Sequence, residues 1–197
     1  VEDKDQLIAQ QADLYLSRDM VPEQWMTHTV KENNLVGSAG IDESNGNGYL
    51  ILWPKNPKQS AKNIWNFLRE KYKIQNLGVI LTDSHSVPLR RGLVGFALSY
   101  YGFQPLRDYR GQDDIFGREL KISQTNIADG LATAAVMVMG EGSEQTPVVL
   151  FEDVGEISFD LKAVSDKPWS EFEVKMEEDL YAPFLTAVPW KKGGSGK

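Results

Sequence analysis

The spacing of apolar residues predicts four helices. Apolar side chains recur every three or four residues, which places them on one face of a helix. The second helix has the clearest start, because Asn56 suits the cap and Pro57 suits the first turn. The third is apolar on all sides and ends at Gly140, so we expect it to be buried. The segments and their apolar positions are 4–16 (Leu7, Ile8, Ala12, Leu16), 57–72 (Ala61, Ile64, Leu68, Tyr72), 128–139 and 168–185 (Phe172, Met176, Leu180).

Apolar runs between these helices predict strands at 49–53, 78–81, 120–127 and 147–151. Pro54 would stop the first of them. The run 78–81 follows a helix, which favours a buried parallel strand in a β-α-β unit. The segment 93–103 is compatible with either state, whereas the glycine- and asparagine-rich segment 36–48 is a predicted loop. We therefore predict a mixed α/β (α+β) fold.

The two ends of the chain differ in character from its middle. The sequence starts at Val1 instead of methionine, so we expect a fragment or a processed product. The residues 193–197, Gly-Gly-Ser-Gly-Lys, are typical of a flexible linker or a cloning scar. We accordingly assign a single domain to residues 1–192 and place 193–197 outside it.

The composition excludes several classes of protein. Twenty-one basic and 28 acidic residues give a net charge of −7, which would repel a nucleic acid but is compatible with a local pocket for one nucleotide. No apolar run could cross a bilayer and no leader is visible, so we expect a cytoplasmic protein with no membrane contact. The absence of cysteine excludes thiolate zinc sites. With only two histidines, a metal would be bound mainly through oxygen, which favours magnesium, manganese or calcium.

Asp83 is the first candidate for chemistry, because it follows the predicted strand 78–81. Ligands of open α/β sheets collect at the carboxyl ends of strands, where a carboxylate can hold a cation that bridges phosphate oxygens. The alternative is that Asp83 caps a turn. Arg90 and Arg91, followed by Gly92, suit two-pronged binding of phosphate or carboxylate, or are solvated surface arginines.

A second candidate lies at the start of the third helix. Asn126 and Asp129 have the spacing of a capping box, and a metal-ligand role for Asp129 is the alternative. Gln124 and Thr125 would add neutral oxygen ligands at the same corner, and a helix start also suits phosphate. Met137 and Met139, further along this helix, are expected in the core.

The loop 38–45 is a third candidate. It offers backbone N–H groups, hydroxyls and two carboxylates within a few residues, although it does not match the Gly-Lys-Ser/Thr phosphate loop. A solvated connection is the alternative.

Together these motifs resemble the coenzyme F-420 γ-glutamyl ligase family, in order and spacing, across roughly residues 36 to 153. The bacterial branch described as folate-metabolism γ-glutamate ligases is the most similar. The motifs are Ser-Ala-Gly-Ile-Asp-Glu-Ser-Asn (38–45), Gly-Val-Ile-Leu-Thr-Asp-Ser (78–84), Pro-Leu-Arg-Arg-Gly (88–92), Asp-Tyr-Arg-Gly-Gln-Asp-Asp-Ile-Phe-Gly-Arg-Glu-Leu (108–120), Ala-Asp (128–129), Val-Met-Gly (138–140) and Glu-Asp-Leu-Tyr (178–181).

The resemblance implies the family's ligase fold and an intertwined homodimer. It also implies a ligase that uses GTP with Mg²⁺ or Mn²⁺ to join L-glutamate to a small carboxylate acceptor, either a deazaflavin coenzyme or a folate-like compound. We assign the site residues by role as follows: metal ligands Asp83, Gln124, Thr125 and Asp129; nucleotide-binding residues Ser38, Asp42, Ser44, Asn45, Ser86 and Asn126; catalytic residues Arg90 and Arg91.

Three features depart from the family pattern. Ser84-His85-Ser86-Val87 replaces a Thr-x-Gly-Arg sequence, and Gly130 replaces an acid at the helix start. The family's opening segment, with its lysine-bearing strand, is missing, so we expect another polypeptide to supply it if the protein is active. The alternative is a non-catalytic remnant or partner subunit that keeps a nucleotide and metal pocket.

Overall fold

The computed structural model of the chain describes residues 4–155, 157–159 and 172–196. These residues cluster into two compact units, one formed by 4–55, 85–93 and 172–196 and the other by 56–84, 94–155 and 157–159. The helices are α1 (Lys4–Gln11), α2 (Pro57–Tyr72), α3 (Ile127–Met139) and α4 (Ala182–Leu185). The strands are β1 (Leu14–Tyr15), β2 (His28–Lys31), β3 (Asn34–Gly37), β4 (Val79–Ser86), β5 (Leu93–Tyr101), β6 (Leu106–Asp108), β7 (Gln124–Asn126) and β8 (Lys191–Lys192). The mixed α/β prediction is confirmed.

The first unit is built on a four-stranded antiparallel sheet in the order β3-β2-β1-β8. β2 and β3 form a tight hairpin, because Glu32 and Asn33 both adopt positive φ (46° and 61°), as two-residue hairpin turns require. A small core, Ile8, Ala12, Ala39 and Ile41, joins α1 to the turn that follows β3.

Three predictions for this unit are wrong. The first helix stops at Gln11 because residues 14–16 pair with β2, where the Leu16 N–H donates to His28 O at 2.9 Å. Residues 49–53 form no strand, and only an isolated bridge joins Ile51 to Asp42. Residues 193–196 do not lie outside the fold. Their N–H groups donate at 2.9 Å each to carbonyls of 9–13, at and just beyond the end of α1, which otherwise lack helical partners.

The second unit is organised around β5, in which residues 95–100 are all buried. Its two neighbouring helices are tied to it by polar contacts. The Ser99 hydroxyl donates to Pro57 O at the start of α2 (2.9 Å), and the Thr133 hydroxyl of α3 donates to Gly95 O (2.7 Å). Gly95 allows this close approach, since an added Cβ would lie 2.5 Å from Ala132 O.

The predicted β-α-β unit is wrong. β4 pairs with β5, the next strand along the chain, and the segment before α2 is not a strand. The start of α2 is confirmed, because Asn56 Oδ1 accepts the Gln59 N–H at 2.9 Å and Pro57 occupies the first turn. The buried face of α2 is carried by Pro57, Ala61 and Trp65, whereas the predicted positions Ile64 and Tyr72 are exposed.

The bounds of α3 are close to those predicted, and Gly140 ends it. The helix is buried along one side only, through Ala128, Ala132 and Ala135, while Met137 is 79% exposed. The expectation of a fully buried helix with Met137 in the core is therefore wrong. Alanines let α3 approach β5 closely, and Met137 and Val138 lie on its outer face.

The remaining sequence predictions also need correction. Residues 147–151 form no strand, and Val148 and Leu150 are exposed. The strand 120–127 shortens to β7, paired with β6. Residues 168–171 of the last predicted helix lie outside the described residues, 172–181 are not helical, and only α4 forms. None of the helices formed by the described residues has both the length and the hydropathy that crossing a bilayer requires.

Candidate functional site

The predicted site residues divide between the two units. The loop 38–45, Ser86, Arg90 and Arg91 belong to the first unit, and Asp83 and residues 124–129 belong to the second.

The loop 38–45 begins with a left-handed 3-10 turn, Ser38–Gly40, whose φ angles are 51°, 56° and 67°. Three of its N–H groups are bonded to neighbouring segments of the first unit. The Ser38 N–H donates to Thr27 O (2.7 Å), the Ala39 N–H to Thr29 Oγ1 (2.9 Å), and the Asp42 N–H to Ile51 O (3.0 Å). These three N–H groups are therefore not available to a ligand. A ligand would meet mainly its side chains.

Asp42, Ser44 and Asn45 are exposed at the outer end of this loop. Asp42 Oδ1 accepts both the Ser44 N–H and the Ser44 hydroxyl at 2.8 Å. This local turn fixes a carboxylate and a hydroxyl side by side. Such a pair can accept bonds from ribose or coordinate a cation.

A third structural feature, beneath the same loop, is Lys31, which sequence reasoning missed. Its side chain is on β2, 6% exposed, and Nζ donates to Gln11 Oε1 (3.2 Å) and to Ala39 O (3.4 Å). Burial lowers the pKa of this amine, and the nearby carboxylates of Glu32 and Asp13 partly oppose that shift. No signal in the sequence marks Lys31 as buried, because strand alternation places it on the same face as the polar Thr29.

Ser86, Arg90 and Arg91 are exposed around the connection from β4 to β5. The Arg90 guanidinium donates to Leu89 O at 3.1 Å, and the Arg90 backbone N–H donates to Val87 O at 3.2 Å. The connection is thus a tight turn that presents two arginines to solvent, which suits them to an anionic ligand.

Asp83 lies inside β4, not beyond its end as predicted, because pairing with β5 continues through Ser86. Asp83 Oδ1 accepts the N–H of Ser84 at 2.8 Å. The Ser84 hydroxyl donates to Glu141 Oε2 at 3.3 Å, across 57 residues of sequence. Since consecutive strand residues point to opposite faces, Glu141 approaches the Ser84 side of β4. Sequence reasoning missed Glu141, whose only signal was an acid directly after the glycine that ends α3.

Residues 124–129 form the start of α3 and the strand before it. Asn126 caps the helix, since its Oδ1 accepts the Asp129 N–H at 2.9 Å, so the capping interpretation is confirmed. Asp129 uses both carboxylate oxygens, one for the Asn126 side-chain amide and one for the Ala97 N–H (2.8 Å). These bonds hold α3 against β5.

Gln124 and Thr125 lie on β7, opposite Asp108 and Arg107. The Gln124 amide donates to Asp108 Oδ2 at 3.3 Å. Asp108 is also bonded by Arg110, whose hydrogen bonds lower the pKa of the carboxyl to about 2. Gln124 is thus part of a polar cluster within the hairpin.

Across the parts of the chain that the structure describes, three or more histidine, aspartate or glutamate side chains nowhere converge to hold a metal. A cation site in the second unit would draw on Asp83 or Glu141 together with neutral oxygens or phosphate oxygens. Such a donor set fits Mg²⁺ or Mn²⁺, which commonly bind through few carboxylates.

The described residues form a mixed α/β fold whose polar positions carry carboxylates, hydroxyls and two exposed arginines. The family model for F420-0:Gamma-glutamyl ligase matches residues 4–153, and the chain belongs to that family. The Coenzyme F420:L-glutamate ligase of Methanopyrus kandleri is 43% identical over 123 residues, covering 62% of this chain and 48% of that protein. The protein of the same name from Methanococcus maripaludis is 36% identical over 151 residues, covering 77% of this chain and 58% of the relative. The chain spans about half the length of the curated relatives it matches.

Proposed function

We propose that this chain is part of a glutamate ligase that uses GTP and a divalent metal to form an amide between L-glutamate and a small carboxylate acceptor. The match to the F420-0:Gamma-glutamyl ligase model over residues 4–153 carries this proposal. The names of the relatives, Coenzyme F420:L-glutamate ligase, favour a deazaflavin coenzyme over a folate as acceptor.

The proposed reaction has two steps. An acceptor carboxylate oxygen attacks the γ-phosphorus of GTP, the bond to the β-phosphate oxygen breaks, and GDP leaves. The α-amine of glutamate then attacks the carbonyl carbon of the acyl phosphate, phosphate leaves, and the amine loses a proton. The balance is one GTP consumed, with one amide, one GDP and one phosphate formed.

Side chains of the chain would bind and orient the reactants. The exposed guanidinium groups of Arg90 and Arg91 suit a phosphate or the acceptor carboxylate, and Asp42 with Ser44 suits the nucleotide. Asp83 would be the metal ligand, and Glu141, which bonds Ser84 on the opposite face of β4, would not share that cation. A bound Mg²⁺ or Mn²⁺ would offset the negative charge that develops on the phosphate oxygens.

The proposal is tested with the full-length gene product. We expect phosphate release from GTP only when Mg²⁺ or Mn²⁺, L-glutamate and an acceptor carboxylate are all present, and mass spectrometry should detect an acceptor heavier by one glutamyl residue. D-glutamate is the matched control. GTP binding without glutamate-dependent phosphate release, for any acceptor, would favour the non-catalytic alternative.

We also propose that the protein is a homodimer, and the β6-β7 hairpin supports this. Asp114 Oδ1 accepts the N–H groups of Phe116 (2.8 Å) and Arg118 (2.9 Å), which orders the hairpin tip. Yet Phe116 is 88% exposed, and Ile115 and Ile122 are exposed to a similar degree. A fixed apolar tip in water is typical of an interaction surface, and a second copy of the chain is the partner that we expect.

Phe116→Ser should therefore weaken the homodimer. Truncating a buried aromatic side chain at an interface commonly raises the dissociation constant at least about tenfold. Light scattering coupled to size-exclusion chromatography, over a dilution series, measures the change. Lys121→Ser, an exposed residue of the same hairpin, is the control and should leave the mass unchanged. A monomeric wild-type protein at all concentrations would refute the homodimer.

A further inference from the structure

The turn Ser38–Gly40 is held in an unfavourable backbone conformation. Ser38 and Ala39 have φ angles of 51° and 56°, a left-handed region that side chains with a Cβ rarely adopt. Such conformations persist only where surrounding groups enforce them, and they concentrate at functional positions. The turn leads directly into Asp42 and Ser44, so its geometry sets where these two side chains lie.

Both polar groups of the Ala39 backbone are bonded by side chains of β2. Thr29 Oγ1 accepts the Ala39 N–H at 2.9 Å, and its own hydrogen is donated to Val36 O at 2.6 Å. Lys31 Nζ donates to Ala39 O at 3.4 Å. Thr29 and Lys31 are two residues apart on one face of the strand, and Thr29 and Ala39 are fully buried. One strand face therefore fixes the turn at two points.

The surroundings of Lys31 indicate why a charged residue is present there. Its ammonium group donates to two neutral oxygens, Gln11 Oε1 and Ala39 O, and lies 5.2 Å from the centre of the Trp53 ring. Packing alone does not need a cation here, because an apolar side chain of equal length would fill the same space without desolvating a charge. What an apolar side chain lacks is a donor for Ala39 O.

Trp53 closes the other side of the turn. A Cβ added to Gly40 would lie 2.2 Å from Trp53 Nε1, so the indole packs directly on the glycine backbone. Lys31, Thr29 and Trp53 thus surround the turn. The backbone N–H and C=O of Ala39 are both bonded to side chains of the same unit.

We propose that Lys31 and Thr29 are positioning residues that clamp the Ser38–Gly40 turn and thereby set Asp42 and Ser44 for binding the nucleotide. The clamp follows from the contacts of the first unit, whereas its link to GTP rests on the proposed function. Neither residue touches the ligand in this proposal. Both act through the backbone of Ala39.

Two variants that keep side-chain volume test the clamp. Lys31→Met removes the donor to Ala39 O, and Thr29→Val removes the acceptor for the Ala39 N–H. In each, amide hydrogen exchange of the peptide covering 38–42 should become at least about tenfold faster, because one hydrogen bond that keeps the turn closed is lost. Thr29→Ser keeps the hydroxyl and should exchange like the wild type. Lys192→Met, an exposed lysine in the same sheet, is the second control.

GTP affinity measured by calorimetry, together with KM and kcat, tests the functional link. Lys31→Met and Thr29→Val should raise the Kd and KM for GTP about tenfold while kcat stays within about threefold, because only ground-state binding depends on the loop. A merely structural residue would lower the amount of active protein and leave KM unchanged.

The outcomes distinguish the hydrogen bonds that hold the turn from their effect on GTP binding. Unchanged exchange at 38–42 in both variants overturns the clamp. Faster exchange with unchanged GTP affinity overturns its role in nucleotide binding. Wild-type protein that neither binds GTP nor releases phosphate refutes the proposed function and the nucleotide link with it, while the exchange data still decide the clamp.

Discussion

Asp83→Asn should weaken Mn²⁺ binding at least about tenfold, or ~1.4 kcal/mol, and leave the melting temperature nearly unchanged. The substitution removes one negative charge from a ligand of a hard dication. Asparagine keeps the size of the side chain and the oxygen that accepts the Ser84 N–H, so β4 loses little. Calorimetric titration with manganese, next to thermal unfolding of both proteins, measures the two quantities.

Glu141→Gln is the second variant to titrate with manganese, because Glu141 is bonded to Ser84, the residue after Asp83 in β4. If Asp83 binds the cation, only Asp83→Asn loses affinity, because Glu141 lies on the opposite face of β4. A loss for Glu141→Gln alone would assign the cation to the Ser84 side of the strand. Unchanged manganese affinity in Asp83→Asn removes Asp83 from the site and leaves it with a role in the turn or strand.

Gly40→Ala should destabilise the first unit by about 3 kcal/mol or more, through overpacking and a left-handed backbone together. The new Cβ would meet the Trp53 indole at 2.2 Å, and φ at this position is 67°. Trp53 is buried, so it has little room to move aside. Urea unfolding followed by tryptophan fluorescence gives the free energy.

Gly48→Ala is the matched control for this substitution. Its φ is 89°, but an added Cβ would have no heavy atom within 4 Å. Only the backbone penalty of about 1 kcal/mol should then appear. Equal losses for the two alanine variants would mean that the contact with Trp53 contributes nothing, and would contradict the packing described for the turn.

Local signals predicted α2 and α3 well. Asn56 and Pro57 mark the start of α2, and Asn126 and Gly140 mark the two ends of α3. Each of these residues acts on backbone groups within a few positions of itself, so the sequence in a short window contains the whole interaction. The same locality explains why the prediction of Asn126 as the helix cap is correct.

Strands and burial were predicted less well, because they depend on partners distant in sequence. Residues 147–151 have a strand-like apolar pattern but pair with nothing among the described residues, whereas the short polar β8 pairs with β1. Met137 is apolar and helical, yet α3 turns its alanines toward β5 and leaves that methionine in solvent. Periodicity cannot indicate which face meets a partner when nearly all faces are apolar.

The candidate site shows the same contrast between local signals and contacts of distant segments. Sequence alone determined the acid-rich loop 38–45, the arginine pair and the family, because these are motifs of contiguous residues. Only the tertiary structure placed Glu141 beside Ser84 and Lys31 beneath Ala39. Those contacts arise from strand pairing and from a left-handed turn, and the energies that fix them come from hydrogen bonds and packing between segments that are far apart along the chain.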